Sequence, residues 1–178
     1  MEILIVILTV VTSAAAVIVS LMRHFRKSDE LKCRVAAANL IREDLLNYSL
    51  NNPMNSKNKQ SPPSGRMMIC FKTRNAVKKQ SFVFDAGKEI FIGRNAAEGN
   101  VFINDNSVSK NHCVVFSRDG TVYVRCTCSS GSVSVRHRIF DSETIYQNET
   151  APLYSGDILI IGAAEFKVMT FYFDIKDL

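Results

Sequence analysis

After residue 66 the apolar positions of the chain come in short runs, and turn-forming residues separate one run from the next. The runs are rich in β-branched and aromatic residues, and no helical periodicity interrupts them. Turn signals such as Asp119-Gly120 and Ser155-Gly156-Asp157 stand between the runs. This pattern predicts an all-β domain over residues 67–178, folded as a two-sheet β-sandwich. The predicted strands are Met67–Phe71, Ser81–Phe84, Ile90–Ile92, Val101–Ile103, Cys113–Phe116, Val122–Cys126, Val133–Val135, Ile158–Ile161 and Phe166–Phe173.

The chain begins with a different pattern, a single long apolar segment. Ile3–Met22 contains twenty residues without a charge, and a helix of that length matches a hydrocarbon core of about 30 Å. Basic residues follow the segment, so the positive-inside rule leaves the amino terminus outside the cell membrane and the rest in the cytoplasm. We therefore expect residues 1–27 to form a single-pass transmembrane anchor with a basic flank. The alternative is a signal peptide that is cleaved near the small residues Ala14-Ala15-Ala16.

Residues 28–50 predict an amphipathic juxtamembrane helix. Ser28 followed by Asp29 and Glu30 is typical of a helix start, and apolar residues recur at three- and four-residue steps. The apolar stripe needs a partner surface, and three remain open: a second copy in a coiled-coil homodimer, the lipid headgroups, or another membrane protein. Residues 51–66, rich in Asn, Ser, Lys and Pro, predict a flexible linker. The predicted stripe is Leu31, Val35, Ala38, Ile41, Leu45 and Tyr48.

The net charge of +5 lies mainly outside the predicted β-domain, residues 67–178. Residues 23–66 carry nine basic and four acidic residues, whereas residues 67–178 carry thirteen basic and twelve acidic residues. A nucleic-acid-binding domain concentrates Lys and Arg on its folded surface. We therefore expect no nucleic-acid partner.

The cysteines and the other reactive residues do not form a known catalytic pattern. Five cysteines, without a CxxC pair or a histidine at zinc-ligand spacing, predict neither a complete disulfide framework nor a metal site. Cys126 and Cys128 stand two apart on a predicted strand and so point to one face, which leaves a redox or metal pair as the less favoured interpretation beside core thiols. No nucleophile elbow, P-loop or paired catalytic carboxylates occur. We predict no enzyme activity and no cofactor.

Four segments of the β-domain carry more specific information than its strand pattern. They are Phe91-Ile92-Gly93-Arg94, Asn100–Asp105, Ser107–Cys113 and Tyr154–Gly162. In their order and spacing these segments resemble the forkhead-associated (FHA) domain family, over roughly residues 67–178. The resemblance implies a sandwich of FHA type, shared with SMAD domains, and a module that binds phosphothreonine peptides.

Two of these residues also suit phosphate binding without reference to the family. A phosphate monoester carries nearly two negative charges and several strong acceptor oxygens, so its site needs a guanidinium and short hydroxyl or amide donors on converging loops. Arg94 and Ser109 supply these groups. Singly, each residue suits a structural role, since arginine forms surface ion pairs and a turn serine bonds its own backbone. Together they favour a phosphate site.

The resemblance implies roles for the neighbouring residues as well. Lys110 would add a phosphate contact, while Gly93 and His112 would support the binding loops. Where the family usually has Asn-Gly, with the asparagine holding the peptide main chain, this chain has Ser129-Ser130-Gly131. Ser130 therefore stands at the asparagine position. Because a serine is shorter than an asparagine and lacks its amide, we expect peptide binding that is weaker or less dependent on flanking sequence.

The predicted function is a membrane-anchored adaptor whose cytoplasmic FHA domain recruits a threonine-phosphorylated protein, such as a Ser/Thr kinase or its substrate. The alternative is a structural or scaffold subunit of a membrane complex, with a degenerate FHA domain that binds regardless of phosphorylation. Ser130 favours the scaffold, whereas Arg94 and Ser109 favour the adaptor. The basic triplet Arg136-His137-Arg138 fits the family poorly, and we expect a solvated loop there in preference to an extension of the binding surface.

Overall fold

The chain divides into two compact units, Met1–Ala36 and Ala37–Leu178. Most of the predicted linker, residues 52–64, lies outside the part of the chain that is described, as do the side chains of helical residues 2–6, 8–10 and 48–51. The computed structural model describes residues 2–51, 65–76, 79–95, 101–138, 141–174 and 176.

One α-helix, α1 (Glu2–Asn51), runs without interruption through 50 residues. It contains no glycine or proline, and Pro53 stands just beyond its end. The predicted helix start at Ser28 is wrong, because α1 begins at Glu2 and Ser28 lies in its interior. The residues on both sides of Ser28 are compatible with a helix. Among the described residues, no helix with the length and apolar character needed to cross a bilayer is found. Part of the predicted span Ile3–Met22 falls on side chains outside that description.

Within the second unit, the last part of α1 is held by both packing and charge. Ala37 and Ile41 are fully buried. The Asp44 carboxylate accepts a hydrogen bond from Arg66 Nη1 at 2.7 Å and another from Lys88 Nζ at 3.2 Å. The bond from Arg66 is the main cause that holds the pKa of Asp44 below its ordinary value.

The buried face of α1 differs from the predicted apolar stripe. Of the stripe residues, Ile41 is buried, whereas Leu31 and Val35 are exposed by 63% and 53%. One turn before Ile41, the buried residue is Ala37. Because alanine has almost no side chain, it permits close packing of a helix without giving a strong apolar signal in the sequence. The stripe was predicted to meet a partner surface outside the chain, so the exposure of Leu31 and Val35 does not contradict it, and the stripe stays a prediction.

The described residues of the second unit also form eleven β-strands, which make two sheets as predicted. The strands are β1 (Gly65–Thr73), β2 (Ser81–Asp85), β3 (Ile90–Gly93), β4 (Val101–Phe102), β5 (Cys113–Arg118), β6 (Thr121–Cys126), β7 (Val133–Arg136), β8 (Ser142–Ile145), β9 (Thr150–Leu153), β10 (Ile158–Ile161) and β11 (Ala164–Asp174). The six-stranded sheet has the order β2-β1-β11-β10-β7-β8, and the five-stranded sheet has the order β4-β3-β5-β6-β9.

Alternation of the side chains along these strands builds the core between the sheets. On β6, for example, Val122, Val124 and Cys126 are buried, while the residues between them are partly exposed. Burying a valine, leucine or isoleucine in this way stabilises the fold by about 1.5–3 kcal/mol. The predicted turn Asp119-Gly120 joins β5 to β6, and both of its residues have positive φ, at 51° and 76°. Such a two-residue turn matches the twist of an antiparallel hairpin.

All nine predicted runs lie on strands, but β8 and β9 were not predicted. Both lie at the edge of a sheet. The sequence of β8, Ser-Glu-Thr-Ile, has no apolar alternation, and β9 contains Pro152. An edge strand tolerates proline because one side of its backbone needs no ladder hydrogen bond. Sequence periodicity therefore gives little signal for either strand.

Candidate functional site

Gly93 ends β3, and Arg94 opens the loop that follows it. The Arg94 amide donates to the Ser109 carbonyl at 3.0 Å, and the Asn95 amide donates to the Lys110 carbonyl at 3.1 Å. These bonds join the β3–β4 loop to the β4–β5 loop. A Cβ atom on Gly93 would collide with the Lys110 carbonyl oxygen and would stand 2.9 Å from that of Ser109. The close approach of the two loops therefore requires glycine at this position.

The Arg94 side chain is exposed, yet its orientation is fixed by the neighbouring loop. Its Nε donates to the Val108 carbonyl at 3.2 Å, and its Nη1 donates to Asn106 Oδ1 at 3.3 Å. Because a guanidinium carries several N–H donors, these two bonds are compatible with further bonds to an anion. Asn106 could not be predicted from the sequence, since its contact depends on the path of the loop.

His112 is 2% exposed and connects two loops through its ring. The Ser109 amide donates to His112 Nδ1 at 3.1 Å, so the ring proton lies on Nε2. This Nε2 is 3.2 Å from the Ser132 carbonyl oxygen, to which it donates. The imidazole thus fixes the position of Ser109 relative to the β6–β7 loop.

The beginning of the β6–β7 loop also contacts the β4–β5 loop. The amides of Thr127 and Cys128 both donate to the His112 carbonyl, at 3.0 and 3.1 Å. Two residues therefore face one, as in a β-bulge that redirects the chain. Thr127 Oγ1 also donates to the Asn111 carbonyl at 3.1 Å. The sequence did not point to Thr127.

All the predicted site residues lie on three loops that contact one another, or immediately beside them. Ser109 is partly exposed, and Lys110 is exposed on the β4–β5 loop. Ser129, Ser130 and Gly131 are exposed on the β6–β7 loop, where Gly131 has a φ of 110°. Residues 96–100 of the β3–β4 loop lie outside the described part of the chain.

Asp105 holds the first half of the β4–β5 loop. Its carboxylate accepts bonds from the Ser107 amide at 2.9 Å and the Ser107 hydroxyl at 2.8 Å. The Ala163 amide, in the β10–β11 turn, donates to the other carboxylate oxygen at 3.3 Å. These bonds, chiefly the one from the Ser107 amide, lower the pKa of Asp105. The ionised carboxylate therefore supports the loop that carries Ser109.

Three free cysteines lie in the core beneath these loops. Cys113, Cys126 and Cys128 are buried, and the sulfur atoms of Cys126 and Cys128 are 2.9 Å apart, in agreement with their predicted common face. Burial raises the pKa of Cys128 to about 11 and that of Cys113 well above its ordinary value. Such thiols are protonated at neutral pH and are poor nucleophiles. Among the described residues, no group of three or more His, Cys, Asp and Glu side chains could hold a metal ion.

The basic triplet Arg136-His137-Arg138 lies at the far end of β7 from the three loops. His137 Nδ1 is 2.9 Å from Asp157 Oδ2, and this carboxylate also accepts the Tyr154 amide at 2.8 Å. Asp157 is 3% exposed. His137 therefore has a structural role, because it contacts a buried carboxylate. The triplet and Ser129-Ser130-Gly131 lie at opposite ends of β7.

Comparison with known proteins locates a family match within the sandwich. Residues 90–162 match the family model of the FHA domain, and they span the three loops described above. No similar sequence was found among the curated proteins.

Solved structures of FHA domains are similar to this chain at low identity. The FHA domain of the CT664 protein from Chlamydia trachomatis is 18% identical, with a TM-score of 0.48, and the match covers 59% of this chain and 98% of that one. The FHA domain of human APLF, in complex with an XRCC1 bisphospho peptide, is 17% identical, with a TM-score of 0.46 and coverage of 58% and 98%. Mycobacterium tuberculosis EmbR, in complex with a low affinity phosphopeptide, is 22% identical, with a TM-score of 0.47 and coverage of 57% and 24%.

Proposed function

We propose that this chain, whose residues 90–162 match the FHA domain model, is an adaptor that binds a threonine-phosphorylated partner protein. One observation carries the proposal. The Arg94 amide bonds to the Ser109 carbonyl at 3.0 Å, so a fixed backbone contact holds the guanidinium loop beside the serine loop. His112 fixes the same Ser109 from the core side. The resulting site presents donors that are positioned before any ligand arrives.

The chemistry of these donors suits a phosphate dianion. A phosphorylated side chain carries about −1.5 to −2 charges at neutral pH, and its oxygens accept strong hydrogen bonds. The exposed Arg94 guanidinium supplies planar donors, and Ser109 supplies a hydroxyl. Lys110, also exposed, adds a cation on the same loop. Each hydrogen bond to a charged group contributes about 1.5–3 kcal/mol, so two or three of them account for micromolar affinity.

The peptide around the phosphothreonine would lie across the β6–β7 loop. Ser130 is exposed there and takes the place of the family's usual asparagine. A serine reaches less far toward a peptide main chain and has no amide group. This substitution supports a second candidate function, a scaffold subunit that binds its partner without phosphorylation. Arg94 and Ser109 have no evident role in such a scaffold, so we favour the adaptor.

A phosphothreonine peptide library tests the adaptor and the role of Ser130 together. We expect the wild-type chain to enrich phosphorylated sequences over unphosphorylated ones, with little preference for flanking residues. Ser130→Asn restores an amide, so it should increase affinity about tenfold, as one additional hydrogen bond would. Ser129→Asn, at the adjacent exposed position, is the matched control and should have a smaller effect. Equal binding of both libraries by the wild type would favour the scaffold instead.

We further propose that α1 anchors this adaptor in the cell membrane, with the amino terminus outside and the β-domain in the cytoplasm. The uncharged segment Ile3–Met22 and the basic residues that follow it support this arrangement. Along the described part of α1, Ile7, Val11 and Val17 are exposed by 56%, 59% and 59%. Leaving such apolar area in water costs about 25 cal/mol per Å², which burial in lipid would avoid.

Membrane extraction tests the anchor. The full chain should stay in the membrane fraction after an alkaline carbonate wash, and its β-domain should resist protease added to intact cells. Val11→Lys combined with Val17→Lys should release the chain, since each charge near the bilayer centre costs about 3 kcal/mol on insertion scales. Leu31→Lys, on an exposed residue beyond the span, is the control. Release of the wild-type chain by carbonate would contradict the anchor.

A further inference from the structure

Asn106 stands at the tip of a tight turn in the β4–β5 loop. The Val108 amide donates to the Asp105 carbonyl at 3.1 Å, so Asn106 and Ser107 are the central residues of a β-turn. The Asp105 carboxylate holds this turn from within, because it accepts bonds from the Ser107 amide and hydroxyl. An aspartate favours a turn at this place, since its side chain bonds the backbone that follows it. The turn therefore sets the position of Asn106.

The same turn is fastened to the body of the sandwich. The Ala163 amide, in the β10–β11 turn, donates to the Asp105 carboxylate at 3.3 Å. On the other side of the tip, Val108 is 1% exposed and belongs to the hydrophobic core. Asn106 is therefore exposed on a turn whose two ends are both held in place.

The Asn106 side chain bonds one edge of the Arg94 guanidinium. Arg94 Nη1 donates to Asn106 Oδ1 at 3.3 Å, and Arg94 Nε donates to the Val108 carbonyl at 3.2 Å. Two bonds from different nitrogens fix both the direction and the rotation of a planar group. Among the described residues, these bonds leave Nη2 and the other Nη1 hydrogen for a ligand. Asn106 thus determines which edge of the guanidinium faces the ligand.

The neutral character of Asn106 matters as much as its position. An asparagine amide oxygen accepts a hydrogen bond without carrying a charge. A carboxylate in its place would form an ion pair with Arg94 and would repel a phosphate dianion beside it. The neighbouring acid, Asp105, is bonded instead to Ser107 and Ala163. A neutral group therefore orients the guanidinium, which keeps its charge for the ligand.

We propose that Asn106 is a positioning residue of the phosphate site, which orients Arg94 toward a phosphorylated side chain without neutralising it. This role rests on the proposed binding of phosphothreonine, and it adds a residue that acts through Arg94. A flexible side chain loses rotational freedom when it binds a ligand, whereas a side chain that is already anchored has less freedom to lose. Asn106 therefore increases the affinity for phosphate by reducing this loss.

Titration calorimetry of the full chain in detergent micelles with a phosphothreonine peptide tests the role. Asn106→Ala should bind about fivefold more weakly, as expected for the ordering of one flexible side chain. Asn106→Asp should bind at least about tenfold more weakly, and high salt should reduce its deficit because salt screens exposed charges. Asn104→Ala and Asn104→Asp, at an exposed position of the same loop, are the matched controls and should stay within about twofold of the wild type.

Two further measurements separate positioning of Arg94 from a general effect on the loop. In Arg94→Ala no guanidinium is left to orient, so the addition of Asn106→Ala should change the remaining affinity less than about twofold. In the free chain, nitrogen-15 magnetic resonance should resolve Nη1 and Nη2 of Arg94 as separate signals. Asn106→Ala should merge them, because the bond from Nε to Val108 alone permits rotation about the Nε–Cζ bond.

The positioning role is overturned by any one of three results. They are wild-type affinity in Asn106→Ala, wild-type affinity in Asn106→Asp, or an equal loss on Asn106→Ala with and without Arg94. Circular dichroism of every variant confirms that each one folds. The proposed function fails by a different result, equal binding of the phosphorylated and unphosphorylated peptides by the wild-type chain, and the role of Asn106 in phosphate binding would then fall with it.

Discussion

Replacing Arg94 by alanine is expected to weaken the binding of a phosphothreonine peptide by about 100-fold or more, while the domain stays folded. The side chain supplies charge-assisted hydrogen bonds of about 1.5–3 kcal/mol each, and every 1.4 kcal/mol is about a factor of ten in affinity. In the folded chain Arg94 is exposed, and among the described residues its guanidinium bonds to loop atoms of Val108 and Asn106. Its removal should therefore cost little stability. Titration calorimetry with a library-selected peptide measures the loss.

Two further variants separate charge from geometry at this position. Arg94→Lys keeps the cation but loses the planar donors, so it should bind with intermediate affinity. Arg118→Ala removes an exposed arginine at the opposite end of β5 and should bind as the wild type does. If Arg94→Ala and Arg118→Ala bind the phosphopeptide equally well, Arg94 is not part of the phosphate site.

Gly93→Ala is expected to destabilise the domain by about 3 kcal/mol, near the upper end for overpacking a rigid site. The new Cβ atom would collide with the Lys110 carbonyl oxygen, and a backbone atom cannot move aside as a flexible side chain can. The loop must then shift and weaken the bond from the Arg94 amide to the Ser109 carbonyl. We therefore expect a loss of phosphopeptide affinity together with the loss of stability. Urea unfolding measures the stability change.

Gly87→Ala is the matched control for this substitution. A Cβ atom at Gly87 would stand 3.0 Å from Asp85 Oδ1, which is the end of a side chain and can move. This control should therefore cost less than about 1 kcal/mol. If Gly93→Ala is as stable as Gly87→Ala, the two loops do not pack as closely as described.

The strands whose side chains pack in the core of the sandwich were predicted well from the sequence. All nine predicted runs are strands, because β-branched and aromatic residues at core positions give a strong pattern. Two edge strands were missed: β8 is largely polar, and β9 contains Pro152, so neither has such a pattern. Along α1, Ala37 and Ile41 are buried whereas Leu31 and Val35 are exposed, and the periodicity of the sequence could not show which of these residues the chain itself covers.

The candidate site was predictable as far as its motifs reach. Gly93-Arg94 and Ser109–His112 occur at a spacing that resembles the FHA family, and the structure places them on loops that contact each other. Asn106 and Thr127 were not predicted, because their contacts depend on how the loops bend. Likewise, no periodicity could show that the amides of Thr127 and Cys128 share the His112 carbonyl.

We propose that this domain recognises a phosphate group through Arg94 and Ser109. The most direct measurement is a calorimetric titration of the full chain with one threonine peptide in its phosphorylated and unphosphorylated forms. We expect micromolar binding of the phosphorylated peptide and at least about 100-fold weaker binding of the unphosphorylated one, because at least two charge-assisted hydrogen bonds are lost. Equal affinity for the two forms would contradict the claim.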